Sequence, residues 1–123
     1  MGYRILTPVF LTAALLCAGI SAARAHAFLD RASPAVGSTV HAPPGEVRLQ
    51  FTEELEATFS TAHVEDAAGA TVSAADAHVD DTARNVLIVP LNPLGAGRYK
   101  VVWRVLSVDT HVTNGEFRFT VAP

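Results

Sequence analysis

The sequence predicts an all-β domain, an antiparallel β-sandwich or Greek-key β-barrel of about seven strands. Three observations carry this. Apolar and polar residues alternate with a period of two in several short runs. Turn-forming pairs punctuate the chain between those runs. Only residues 53–59 suit a helical turn. In order, Val47, Leu49 and Phe51 alternate with polar neighbours and describe a strand with one buried face. Residues 59–64 and 70–73 are weaker strands flanking a turn at 66–69. Val86, Leu87, Ile88 and Val89 form a short apolar run closed by Pro90, which suits a fully buried strand. Tyr99, Val101, Trp103 and Val105 alternate with a second set that includes Val102 and Leu106, so both faces carry apolar weight and a central strand is expected. Phe117, Phe119 and Val121 form the last strand. Ser33-Pro34, Pro43-Pro44-Gly45, Asn92-Pro93, Gly95-Ala96-Gly97 and Asn114-Gly115 supply the turns.

Composition narrows the function. The chain has 123 residues, half of them apolar and 17% charged, with a net charge of −3. Such a chain folds around one core and is too apolar for disorder. It lacks the cationic surface that binds nucleic acid by counterion release. One Cys excludes an internal disulfide framework and a Cys-rich zinc module.

The N-terminal region differs from the rest. No residue between Arg4 and Arg24 is charged, and the apolar stretch ends in Ala23-Arg24-Ala25. A basic start, an apolar middle and an A-x-A end predict a signal peptide over residues 1–25 that is removed on export. The mature domain is then residues 26–123, with seven basic and twelve acidic side chains and neither Cys nor Met.

Ser107, Asp109 and His111 lie close in sequence, but nothing marks a nucleophile elbow, and a serine hydrolase is not expected. Of the five histidines, His41, His63 and His78 read as surface residues. His26 is different, because processing makes it the first residue. A free N-terminal His offers an α-amine and an imidazole nitrogen in one chelate, a donor pair suited to tetragonal Cu(II). Asp109 and His111 are two apart, so on extended chain they project to one side and could complete such a site. From spacing alone, a capping Asp beside a surface His is the better account of that pair.

Four segments together resemble the CopC family of periplasmic copper-binding, copper-resistance proteins. They are His26-Ala-Phe-Leu with Ala32-Ser33-Pro34, the run from Val47 to Glu53, W-R-V-x-S-x-D-x-H over residues 103–111, and G-x-F-x-F-x-V over 115–121. They occur in order across the whole mature chain. The resemblance implies a small Greek-key β-barrel related to cupredoxins. It implies one Cu(II) per chain at His26, Asp109 and His111, with Glu53 near the site. Many members carry a Met-rich loop for Cu(I); this mature chain has no Met, which implies the subgroup that holds Cu(II) only. The expected function is copper homeostasis, resistance or transport in the periplasm. The expected molecule is a monomer and not an enzyme, with an inner-membrane copper-transport protein as a partner. Two other readings stand beside it. One is a copper-dependent oxidative enzyme with an N-terminal-histidine site, and the other is a metal-free immunoglobulin-like interaction module.

Overall fold

The computed structural model describes residues 2–3 and 27–123. The rest of the expected signal peptide, and His26, lie outside the described residues. The strands are β1 (Leu29–Ser33), β2 (Thr39–Val40), β3 (Glu46–Phe51), β4 (Thr61–Glu65), β5 (His78–Val79), β6 (Val86–Pro90), β7 (Gly97–Leu106) and β8 (Val112–Val121), with one 3₁₀ turn at Ala57–Phe59. They form two four-stranded sheets, ordered β1-β3-β6-β5 and β2-β8-β7-β4. The sheets stay separate, so of the two expected forms the sandwich is the one found. Two of the eight strands have only two residues. All pairings are antiparallel except β2 with β8.

The alternation seen in sequence becomes the inside and outside of the sheets. Val47, Leu49 and Phe51 of β3 point inward, as do Tyr99, Val101, Trp103 and Val105 of β7 and Phe117, Phe119 and Val121 of β8, and all are buried. Each fully buried side chain of this size contributes about 1.5–3 kcal/mol by leaving water. β7 lies between β8 and β4, which is the central position expected from its two-sided apolar pattern. β6 lies between β3 and β5 and is buried over Val86–Val89. Residues 70–73 make only isolated bridges, Thr71 to Glu65 and Ser73 to Leu91, where a strand was expected. Phe59, expected at the start of a strand, closes the 3₁₀ turn instead and is exposed. His78, read from the sequence as a surface residue, is exposed and pairs with Ile88 as part of β5.

Trp103 organises the middle of the core. Its ring meets Phe51 edge-on, with centroids 5.1 Å apart and planes at 75°. Across the β7–β8 ladder its partner is Gly115. A Cβ on Gly115 would come within 2.6 Å of the indole Cζ2. The glycine is thus the space that the indole occupies. Gly115→Ala should destabilise the domain by about 1–3 kcal/mol, the usual range for overpacking a core. Urea unfolding followed by Trp103 emission measures this, and an unchanged midpoint would show that the ring is not seated on Gly115.

A second constraint closes the other sheet. Asp80 follows β5, and its carboxylate accepts from the Thr82 amide at 2.9 Å, the Thr82 hydroxyl at 3.0 Å and the Arg48 guanidinium at 2.9 Å. These donors, the Thr82 amide foremost, hold its pKa down to about 2. A carboxyl whose folded pKa is depressed stabilises the fold above its unfolded value, ~3.9, and loses that contribution as pH falls through the folded value. The gap in melting temperature between the native protein and Asp80→Asn should be constant above about pH 5 and close between about pH 4 and pH 2. A gap that stays the same down to pH 2 would contradict this role.

Candidate metal centre

Residues 107–111 join β7 to β8 in a tight loop. The Ser107 amide donates to the His111 carbonyl at 3.0 Å, and the Thr110 amide donates to the Ser107 carbonyl at 2.9 Å. To close the loop, Thr110 takes φ +72°, in the left-handed region. That conformation costs a β-branched residue on the order of 1–2 kcal/mol. The Thr110 hydroxyl donates to the Asp109 carbonyl at 2.6 Å and offsets part of it. The loop is held from one side by the segment after β3. Leu55 bridges to Ser107, and the Val108 amide donates to the Glu54 carbonyl at 3.0 Å.

Ser107 sits at the centre of this loop and is fully buried. Its hydroxyl donates to Asp109 Oδ1 and accepts from the His111 amide at 3.3 Å. The Ser107 bond, more than any other, holds the Asp109 carboxyl below its ordinary pKa, and His111 adds to the effect. Asp109 is therefore an anion at neutral pH, with one oxygen occupied by Ser107. Its other oxygen, Oδ2, lies 3.1 Å from His111 Nδ1. Two ligands bound cis on one metal at about 2.0–2.2 Å are separated by about 3 Å. The pair thus has the spacing of a hydrogen bond and equally of a two-point metal grip. Both side chains are partly open to solvent, His111 by 50% and Asp109 by 31%.

The chain enters the described domain beside this pair. Ala27 is fully buried, and its carbonyl accepts from the Thr113 hydroxyl at 2.6 Å, two residues beyond His111. The Phe28 amide donates to the Thr52 hydroxyl at 3.0 Å, and the Thr52 amide returns a bond to the Phe28 carbonyl at 2.9 Å. Glu53 follows Thr52 and is partly exposed. Its neighbours in sequence bond to Phe28 on one side and to Val108 on the other, so it lies at the same end as Asp109 and His111.

The structure therefore brings together Asp109 and His111. It places Glu53 at their end of the sandwich, and His26 lies outside the described residues. Among the described residues no three His, Cys, Asp or Glu side chains gather closely enough to hold a metal. His41 lies past β2, His63 on β4 beside Glu65 at 3.7 Å, and His78 on β5, each on a different element from the loop. The buried Ser107 bonds to Asp109 through its hydroxyl, so it is not poised as a nucleophile against His111. Sequence reasoning saw Ser107 only as a hydrolase candidate and missed its supporting role. The missed signal was the x-S-x-D-x-H spacing, which puts a short hydroxyl two residues before a carboxylate in a loop.

A two-sheet sandwich with a carboxylate–imidazole pair at one end, beside the entry of the chain, defines a class of small β-domains with a terminal site. The chain matches the CopC domain over residues 29–122. It is 36% identical over 107 residues to copper resistance protein C of Pseudomonas syringae pv. tomato, covering 80% of this chain and 82% of that protein. It is 37% identical over 98 residues to protein YobA of Escherichia coli K12, covering 79% of each. Among solved structures, CopC from Methylosinus trichosporium OB3b superposes with a TM-score of 0.74 at 35% identity, over 80% of this chain and 95% of that one. PcoC, a methionine-rich copper resistance protein from E. coli, gives 0.71 at 33% identity, over 79% and 99%. The chain belongs to the CopC family.

If Ser107 holds Asp109 as described, Ser107→Ala should return the Asp109 pKa toward ~3.9. A carboxyl-carbon NMR titration of the two proteins reads the shift directly. An identical titration would mean that Ser107 does not support the carboxylate.

Proposed function

We propose that this protein is exported, loses residues 1–25, and binds one Cu(II) per chain through His26, Asp109 and His111, as a buffer or carrier of copper in the periplasm. The observation that carries this reading is the Asp109–His111 pair, 3.1 Å apart at the loop beside the anchored Ala27. Residue 26 is one peptide link from Ala27, and successive Cα atoms are about 3.8 Å apart. The first residue of a processed chain is thereby tethered within reach of the pair. Its α-amine and imidazole nitrogen, with the Asp109 oxygen and the His111 nitrogen, make a nitrogen-rich set with one oxygen, which suits the tetragonal preference of Cu(II). Glu53, at the same end, adds negative charge near the ion and is not required as a ligand. The copper-resistance names of the relatives support copper as the ion.

The metal is held as cargo, not used for turnover. PcoC is described as methionine rich. This chain has a single Met, Met1, within the segment proposed to be removed. The mature chain thus has no thioether or thiol for Cu(I), and Cu(II) is the state it holds. The domain acts as a monomer that exchanges copper with an inner-membrane transport protein. The copper transport protein CutJ of Bacillus subtilis supports that pairing. It is 26% identical to this chain over 98 residues, 79% of this chain but only 18% of CutJ, so a domain of this kind forms part of a larger transport chain.

Quenching of Trp103 by Cu(II) tests the site, since Trp103 lies on the strand that leads into the loop. His111→Ala should weaken Cu(II) binding at least about a hundredfold, as should one Gly added before His26, which turns the amine into an amide. Circular dichroism should show both variants folded. His63→Ala and His78→Ala should bind like the native chain. Equal affinity for the native and extended N-termini would remove the amine from the ligand set.

A further inference from the structure

We infer that the end of the sandwich carrying Asp109 and His111 is a docking surface for a protein partner whose contact face is apolar and rimmed with Lys or Arg. The inference rests on the copper reading only for what crosses the contact; the surface itself is read from exposure and charge. From residue 27 onward, five large apolar side chains are exposed among the described residues. Four of them lie at this end: Phe28 at 55%, Phe59 at 66%, Val108 at 49% and Val112 at 48%. Phe28 follows the anchored Ala27, Val108 and Val112 flank the Asp109–His111 pair, and Phe59 closes the 3₁₀ turn. Phe59, Leu106 and Val112 share a shallow groove of about 260 Å³ with Thr61 and Arg104. Phe59 and Val112, with Leu106, form a contiguous apolar strip in that groove, Phe28 and Val108 lie at the same end, and exposed apolar clusters mark contact sites.

Charge selects the partner. Glu53, Glu54 and Glu56 lie in the segment bonded to residues 106–108, and Asp109 lies in the loop itself. Against these four carboxylates stand two cations, Arg104 lining the groove and exposed Arg84, whose carbonyl accepts from the Leu55 amide, so the end keeps a negative excess. The far end of the same β7–β8 hairpin carries Arg98, Lys100 and Arg118, with Lys100 opposite Arg118. There the cations are matched by acids, Lys100 lying 3.2 Å from Glu65 and 3.9 Å from Glu116, so the negative excess belongs to the loop end. A second copy docking by the same end would set the four carboxylates against their own images. An anionic lipid surface would be repelled by them. A cationic protein face is drawn to this end and then held by the apolar side chains.

The test uses the processed chain without metal, so a failure of the copper reading leaves its outcome standing. The probe is an amphipathic helical peptide of Leu and Lys, titrated into ¹⁵N-labelled protein. The expected result is saturable shifts at Phe28, Phe59, Leu106, Val108 and Val112, weakened by salt. The double variant Phe59→Ser, Val112→Ser should weaken binding about tenfold with an unchanged circular dichroism spectrum, since both side chains are exposed. Four results would each overturn the inference. They are equal binding of a Leu and Glu peptide, shifts centred on Arg98, Lys100 and Arg118, uptake of the protein by phosphatidylglycerol vesicles, and self-association that the double variant abolishes.

Discussion

Ten consecutive backbone pairs join β7 to β8, from Gly97 opposite Val121 to Leu106 opposite Val112. This ladder fixes both what lies inside the sandwich and what its loop presents. A slip of one residue would put Trp103 and Phe117 on opposite faces of the sheet and move Asp109 and His111 out of register with the N-terminal anchor. Gly115 guards against such a slip, because only its missing side chain accommodates the indole opposite it. Core packing and the geometry of the loop are therefore set by one register.

At the end of that ladder, the loop uses buried hydrogen bonding where a helix or strand is unavailable. Ser107 is a polar group with no access to water, and it is stable there because its hydroxyl both donates and accepts within the loop. The local chain is strained at Thr110 and supported at Ser107, Val108 and Leu55. Strain persists in a folded protein only where its surroundings over-determine it, and such places gather at functional sites. The support comes from the chain after β3, the same stretch that binds Phe28.

Much of this was legible beforehand, for physical reasons. Val47, Leu49, Phe51 and the odd positions from Tyr99 to Val105 alternate cleanly because each strand has one face in the core. β1 was not legible, since Leu29, Asp30 and Arg31 show no alternation and the strand lies at a sheet edge. β2 and β5 have two residues each, too few for any period. Residues 70–73 have the composition of a strand but meet only single partners, and composition does not reveal the number of neighbours. The D-x-H pair was visible as spacing. Its closeness was not, because it depends on a left-handed Thr110 and a buried Ser107, which no propensity foretells. Glu53 came from family resemblance alone, and its position follows from bonds made by Thr52 and Glu54, not from its own side chain.

The bond from Thr113 to Ala27 spans 86 residues of sequence. Closing so long a loop brings no early reward, and contacts of this kind form late as a chain folds. The chain entry at Ala27 and the loop of Asp109 and His111 are thus brought together by contacts that depend on the folded domain. A ligand gripped between them would recognise the native state alone. By mass action it would add about 2.7 kcal/mol to stability at a free concentration one hundred times its dissociation constant. Protection from proteolysis would then follow the supply of that ligand, so the lifetime of the protein would itself report how much of the ligand was present.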